Sequence, residues 1–202
     1  MTPSISTTSP TPSTRNGLTH VDETGAAHMV DVSHKSPTTR QATACAVIRM
    51  MRETLILLEK NSLSKGDAIA AARIAGIMAA KETSRLIPLC HPLQLTSVTV
   101  NLDIDLEHNV VRIEANVRCI GPTGVEMEAL TAASVAALTL YDMAKGVDRT
   151  MVIDALRVVQ KDGGISGQLY HDPRPEEPRV VSGAARRLSL SDQEYSDEPV
   201  TK

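Results

Sequence analysis

One stretch restricts the fold more than any other: Gly124 to Lys145, GVEMEALTAASVAALTLYDMAK, whose charges sit only at its two ends. Glu126 and Glu128 lie at one end, Asp142 and Lys145 at the other, and the twelve residues from Ala129 to Leu140 carry no charge. A helix of this pattern has a middle of small side chains that neighbouring elements can approach closely, so it belongs inside a fold. Its charged ends then need partners, from the chain or from a ligand. Glu128 and Asp142 are fourteen residues apart, which on an α-helix leaves them about 40° apart around the axis and about 21 Å apart along it. One small molecule cannot touch both within one subunit. They serve different molecules, one long ligand, or sites completed by a second subunit. Asp142 and Lys145 share a helical flank. An ordinary surface ion pair is the default for such a pair, whereas in a desolvated pocket Lys145 would hold Asp142 ionised or Asp142 would exchange protons with a substrate. For Glu126 and Glu128 the bland alternative is attraction to the helix N-terminus.

The 202 residues, 42% apolar and 22% charged, fit one soluble globular domain with tails. Phe and Trp are absent and Tyr occurs three times, so the core must be built from Val, Ile, Leu, Met and Ala, with few platforms for stacking single-stranded nucleic acid. A net charge of -3 supplies no general attraction to DNA or anionic membranes. Cys45, Cys90 and Cys119 lack CxxC spacing, which disfavours a disulfide framework and a zinc site and suits reduced cysteines in a cytoplasmic protein. No signal peptide pattern is present, and charge interrupts every apolar run before the ~18 residues of a membrane span.

Residues 1–17 begin with an almost unbroken Ser/Thr/Pro run and are expected to be disordered, as are 172–202, rich in Pro, Ser and charge. The folded body is expected over 18–171. In the second tail Arg186-Arg187-Leu188-Ser189 reads either as a phosphorylation site or as a plain basic patch. Met29–Ser33 suggests a short strand, and Ser36-Pro37 suggests a cap and first position of a helix running to about Lys60. Asp67 caps an expected helix through about Arg85. Leu95–Leu106 and the stretch from Val111 to Cys119 alternate apolar and polar residues around a turn at Glu107–Asn109, the pattern of an antiparallel hairpin. The helix from Gly124 to Lys145 follows, then a strand near Ala155–Lys161 and a glycine-rich segment at Gly163–Gly167. This order is the split βαβ arrangement with one added helix: an α+β fold whose antiparallel sheet is covered by helices on one face. The other face, carrying side chains such as Asp103 and Arg112, would be wet or an interface.

Leu86–Leu93, LIPLCHPL, places Cys90 and His91 between two prolines that stiffen the loop. Such a His is either catalytic or phosphate-contacting, or a satisfied buried histidine. A Cys–His nucleophilic pair is rejected, because adjacent residues in an extended segment point apart. Lys35, Arg40, Lys65, Lys145 and Lys161 fall at expected element boundaries, and Lys65-Gly66 ahead of a helix N-terminus could receive phosphate. No Walker A or GxGxxG motif occurs.

MVDVS with Lys35 and Arg40, KGD at 65–67, ARIAGIMAAK at 72–81, LIPLCHPL at 86–93, TGVEMEALTAASVAALTLYDMAK at 123–145 and the stretch opening at Lys161 resemble the MoaC family over about 18–168. The resemblance implies a ferredoxin-like fold, a homohexamer made of three dimers, and an active site at a subunit interface. It implies a lyase of molybdenum cofactor biosynthesis, which rearranges a cyclised dihydro-GTP nucleotide to cyclic pyranopterin monophosphate with release of pyrophosphate. By motif, Asp142 resembles the catalytic acid/base with Lys145 beside it, and Lys65 and His91 join the catalytic set. Leu89, Cys90, His91, Met127 and Glu128 resemble substrate-contacting residues, as do Arg40 and Lys161 for the triphosphate. No cofactor is required by the sequence, magnesium would accompany the triphosphate, and no carboxylate cluster specifies a metal site. Pro122 and Ile165 stand where lysines are frequent in the family, and Ala144 where Cys is common. A function of another class, a nucleotide sensor or scaffold that kept the fold and lost catalysis, is the alternative.

Overall fold

Thr38–Arg49 forms strand β1, not the helix expected from Pro37 to Lys60. The computed structural model describes residues 20–21, 24–163 and 169–170. The two tails, and Gly164–Gly167 of the glycine-rich segment with Ile165, lie outside the described residues. Along β1, Ala42, Ala44, Ala46 and Ile48 are buried in the core, while Gln41, Thr43, Cys45 and Val47 alternate with them onto the opposite face. The period is therefore two, and the alanines that suggested a helix instead let other elements lie close to the strand. Only the last part of the expected helix survives, as α1 over Arg52–Glu59. The expected strand at Met29–Ser33 is also corrected: it has no regular structure. Its polar groups are used locally instead, with the Ser33 N–H donating to Asp31 Oδ1 at 2.9 Å.

Asp67 caps α2, Ala68–Lys81, by accepting from the Ala70 N–H at 2.8 Å. The helix expected to reach Arg85 breaks at Glu82 and resumes as the short α3, Thr83–Leu86. There the Thr83 hydroxyl donates back to the Ala79 and Ala80 carbonyls, at 3.4 and 3.1 Å, meeting carbonyls that the ending helix leaves short of partners. The hairpin forms as expected, β2 over Leu95–Asp105 and β3 over Val110–Gly121. Helix α4 covers Glu126–Ala144, β4 covers Val152–Asp162, and a two-residue β5, Leu169–Tyr170, completes the sheet.

The strand order is β2-β3-β1-β4-β5, and every pairing is antiparallel. Its four long strands in the order 2-3-1-4 give the ferredoxin-like α+β arrangement with α1 as the added helix. The helices share one face. Ala129, Ala132, Ala133, Ala136 and Ala137 of α4 pack on Ala44, Ala115 and their neighbours in one core. Gly76 of α2 meets α4 where a Cβ would stand 2.8 Å from the Ala132 carbonyl oxygen and 3.2 Å from Ala136 Cβ. β4 is less regular than β1: its register slips twice, and Ala155 adopts φ 53° beside one of the slips.

Asp148 ties the far ends of this frame together. It is fully buried, and its Oδ2 accepts from the Met51 N–H at 2.8 Å and the Thr54 hydroxyl at 3.4 Å. Its Oδ1 accepts from the Thr150 N–H and hydroxyl at 2.9 and 2.8 Å. Met51 begins α1 without a capping side chain of its own, so a carboxylate 97 residues away supplies the cap. Burial alone would raise the Asp148 carboxyl, but these four donors hold it below its ordinary value.

Two stability outcomes follow. Asp148→Asn should cost about 1–3 kcal/mol at neutral pH, because buried donors lose a charged acceptor. A depressed folded-state pKa stabilises above the unfolded value of about 3.9 and loses that contribution as pH falls, so the wild-type advantage in urea unfolding should shrink below about pH 4. Gly76→Ala should destabilise by about 1–2 kcal/mol, the overpacking at Ala132 exceeding the gain in helix propensity; equal or greater stability in the same unfolding series would contradict the close approach.

Candidate functional site

The N-terminal end of α4 opens into two adjoining cavities. One, of about 510 Å³, is lined by Val30, Leu89, Cys90, His91, Met127 and Glu128 among others. The second, of about 360 Å³, is lined by Arg40, Lys161, Pro122 and Gly163, and Lys35, Thr123, Gly124 and Glu126 border both. Together they form a cleft of the size that takes a nucleotide-sized ligand. The seven residues expected to contact substrate, Leu89, Cys90, His91, Met127, Glu128, Arg40 and Lys161, all line it.

Each is positioned by the local fold. The His91 Nε2–H donates to the Val30 carbonyl at 2.8 Å, fixing the ring and the Ile87–Leu93 loop against the irregular Met29–Ser33 segment. Arg40 reaches across from β1 so that its guanidinium donates to the Gly121 and Pro122 carbonyls, both at 3.4 Å. Lys161 Nζ lies 3.2 Å from Glu126 Oε1. Gly163 turns the chain at the cleft edge with φ +93°, and a Cβ there would stand 2.5 Å from the Thr39 carbonyl oxygen, so only glycine fits. Val125 gives α4 no side-chain cap, which leaves the helix N-terminus and three basic side chains, Lys35, Arg40 and Lys161, around one space suited to an anion. Pro122 adds a carbonyl there rather than the charge a lysine would bring.

Glu128 is the cleft's buried carboxyl, 4% exposed. Burial pushes its pKa up, and the charge of Glu126 adds to the rise, against a lowering hydrogen bond from its own backbone. The thiols of Cys90 and Cys119 are likewise raised, first by burial and then by Glu128. Cys90 is therefore a poor nucleophile, in keeping with the rejected Cys–His pair.

The remaining candidates assemble at the opposite end of α4. Lys145 Nζ lies 2.6 Å from Asp142 Oδ1, and Lys65 Nζ lies 2.8 Å from Asp142 Oδ2. Lys65 also donates to the Asp142 carbonyl at 2.8 Å, one of the last carbonyls of the helix. Lys145 first and Lys65 second lower the Asp142 pKa to about 2. The carboxylate is 55% exposed, so the desolvated pocket that would favour proton exchange is not formed by one chain. Lys65 is held by Asp142, while Asp67 caps the α2 N-terminus. Ala144, fully buried, points into the core, so a thiol there would pack inside the fold. His91 stands apart from this triad, in the cleft. Thr123 carries no signal as a contact in the sequence, whereas Lys35, a basic residue at an element boundary, and Glu126, a helix-end charge in need of a partner, already stand among the candidates. Among the described residues no three His, Cys, Asp or Glu side chains converge to hold a metal ion.

The two carboxyls should titrate in opposite directions from their ordinary ranges in a ¹³C-carboxyl NMR titration, Asp142 near 2 and Glu128 above the usual Glu value. Lys145→Met should move Asp142 upward, and Glu126→Gln should move Glu128 downward by removing the like charge; unchanged midpoints would show that these partners do not set them.

The MoaC family model matches residues 29–164. A cyclic pyranopterin monophosphate synthase of Herpetosiphon aurantiacus is 58% identical over 158 residues, covering 78% of this chain and 96% of the relative. Its namesake in Roseiflexus castenholzii is 59% identical over 152 residues, 75% of this chain and 96% of the relative. That of Brucella ovis is 59% identical over 150 residues, 74% and 91% respectively. A match of this extent, on a ferredoxin-like sheet with the family's motifs gathered at the two ends of one helix, settles the affiliation: the chain belongs to the MoaC family.

Proposed function

We propose that the chain is a cyclic pyranopterin monophosphate synthase of molybdenum cofactor biosynthesis. It converts the cyclised dihydro-GTP nucleotide to cyclic pyranopterin monophosphate and releases pyrophosphate. The observation that carries this reading is its 58–59% identity to synthases of that name across 91–96% of their length. The cleft supports it chemically. Turning a nucleoside triphosphate into a cyclic monophosphate requires a substrate hydroxyl to attack the α-phosphorus while the bond to the β-phosphate breaks. In this reading Lys35, Arg40 and Lys161 neutralise the leaving pyrophosphate, and magnesium enters as the triphosphate's counter-ion. Leu89, Cys90, His91 and Met127 hold the base-derived ring.

Asp142, ionised at neutral pH, is the group we assign to take the proton that leaves the substrate as the rings open and close. Lys65 and Lys145 keep it so and supply positive charge to developing anions. Asp142 lies about 21 Å along α4 from Glu128, so we assign the two helix ends of one active site to different subunits. This is the composite site of a homohexamer of three dimers. Apolar side chains exposed on the helical layer, Ile74, Met78 and Leu138, support burial of that layer against another copy. No described helix is long and apolar enough to cross a membrane, and we place the enzyme in the cytoplasm.

Purified protein given the cyclised nucleotide should release one pyrophosphate per pterin formed, and Asp142→Asn should lower turnover by at least about 100-fold while the protein stays folded. Binding of the nucleotide by the wild type without pyrophosphate release would instead assign it to the sensor class.

A further inference from the structure

Residues 29–35 belong to no strand or helix, yet they form one wall of the cleft. Val30, Val32 and Lys35 are the half-buried residues of this segment, and all three line the larger cavity, whereas Met29, Asp31, Ser33 and His34 are exposed. Residues two apart on an extended chain share a face, so Val30 and Val32 point inward together. The Lys35 N–H then donates to the Val32 carbonyl at 3.0 Å, a turn that brings Lys35 back to the same side. From there Lys35 borders both cavities and joins Arg40 and Lys161 around the smaller one.

Which face an extended segment presents is a matter of register. A slip of one residue would turn Asp31 and Ser33 inward and Val30 and Val32 outward. A sheet fixes register through its ladder, but residues 29–35 pair with none of the described strands. Among the described residues, two of the segment's hydrogen bonds are internal, from the Ser33 N–H to Asp31 Oδ1 at 2.9 Å and from the Lys35 N–H to the Val32 carbonyl. The bond that reaches the body of the fold runs from His91 Nε2–H to the Val30 carbonyl at 2.8 Å, across 61 residues of sequence.

His91 is well placed to act as an anchor. The Cys90 N–H beside it donates to the Ile87 carbonyl at 3.1 Å, and Pro92 restricts the backbone of His91 itself. Its Nε2 is committed to a main-chain carbonyl, which takes up no proton, and only Nδ1 remains to meet a ligand.

We propose that His91 is a positioning residue for anion binding: by holding the Val30 carbonyl it sets the register of residues 29–35 and keeps Lys35 in the space shared with Arg40 and Lys161. This role rests on the assignment of that space to the triphosphate. It makes the grip of Lys35 on the anion depend on a ring that acts from the opposite side of the segment.

The test uses the full-length protein, calorimetric titration with inorganic pyrophosphate and hydrogen exchange of residues 29–35. His91→Ala should weaken pyrophosphate binding about tenfold, the loss of one charge-assisted contact, and should speed exchange across the segment while circular dichroism is unchanged. His91→Gln places an amide nitrogen near the position of Nε2 and has no acid or base function, so it should recover affinity to within about threefold of wild type and slow exchange again. Lys35→Met should weaken binding as much as His91→Ala does, and the double variant should lose no more than either alone, because both remove the same contact. Wild-type affinity in His91→Ala, or losses that add in the double variant, would overturn the proposal. So would a His91→Gln protein as weak as His91→Ala despite wild-type exchange, or a wild type that binds no pyrophosphate. Coupled losses in a protein that never turns over the cyclised nucleotide would sink the functional reading and leave the role of His91 standing.

Discussion

Helix α4 lies flat on the sheet with α2 packed beside it, at distances set by alanine and glycine. Ala129, Ala132, Ala133, Ala136 and Ala137 face the core, and the absence of any side chain on Gly76 lets α2 come within van der Waals contact of the Ala132 main chain. A helix packed this closely along nineteen residues cannot slide or bend to bring its ends together. Its ends stay about 27 Å apart. The arrangement of candidate residues follows from that rigidity, since the cleft at the first turn and the Lys65–Asp142–Lys145 triad at the last are held by the same rod and kept from meeting.

The two ends also differ electrostatically in a way that suits different tasks. Glu128 is buried where ionisation is disfavoured, and Asp142 is exposed between two lysines where it is favoured. A site that took Glu128 from one subunit and Asp142 from another would hold two carboxyls whose surroundings push their pKa values in opposite directions. Packing the triad against a neighbour would also remove water from it, which strengthens the ion pairs that a single chain leaves exposed.

Much of this was legible in the sequence where side-chain period was unambiguous. The β2–β3 hairpin alternates strictly over both strands, and α4 announces itself by charges at its ends, so both formed almost where expected. β1 did not, because Ala42, Ala44 and Ala46 satisfy a helix-like composition and a strand period equally well, and only the pairing with β3 decides between them. The slips in β4 left no mark either, since Ala155 adopts a left-handed φ without the glycine that would signal it. The cap that Asp148 lends to α1 and the bond from Lys65 to Asp142 link residues 97 and 77 positions apart, beyond the reach of any local pattern. His91 in its proline-stiffened loop, the basic residues at element boundaries and the acidic end of α4 were legible as separate candidates, and only the family motifs joined them into one contact set. Their convergence around the uncapped start of α4 needed the fold.

The claim that one active site takes its two halves from two subunits is tested most directly by mixing two variants that are each inactive alone, Asp142→Asn and Arg40→Ala. After co-refolding, random pairing should restore about a quarter of wild-type turnover, because half the dimers are mixed and each mixed dimer regains one intact site of two. A mixture that stays as inactive as its components, although native mass spectrometry shows mixed assemblies, would mean that each site draws on a single chain.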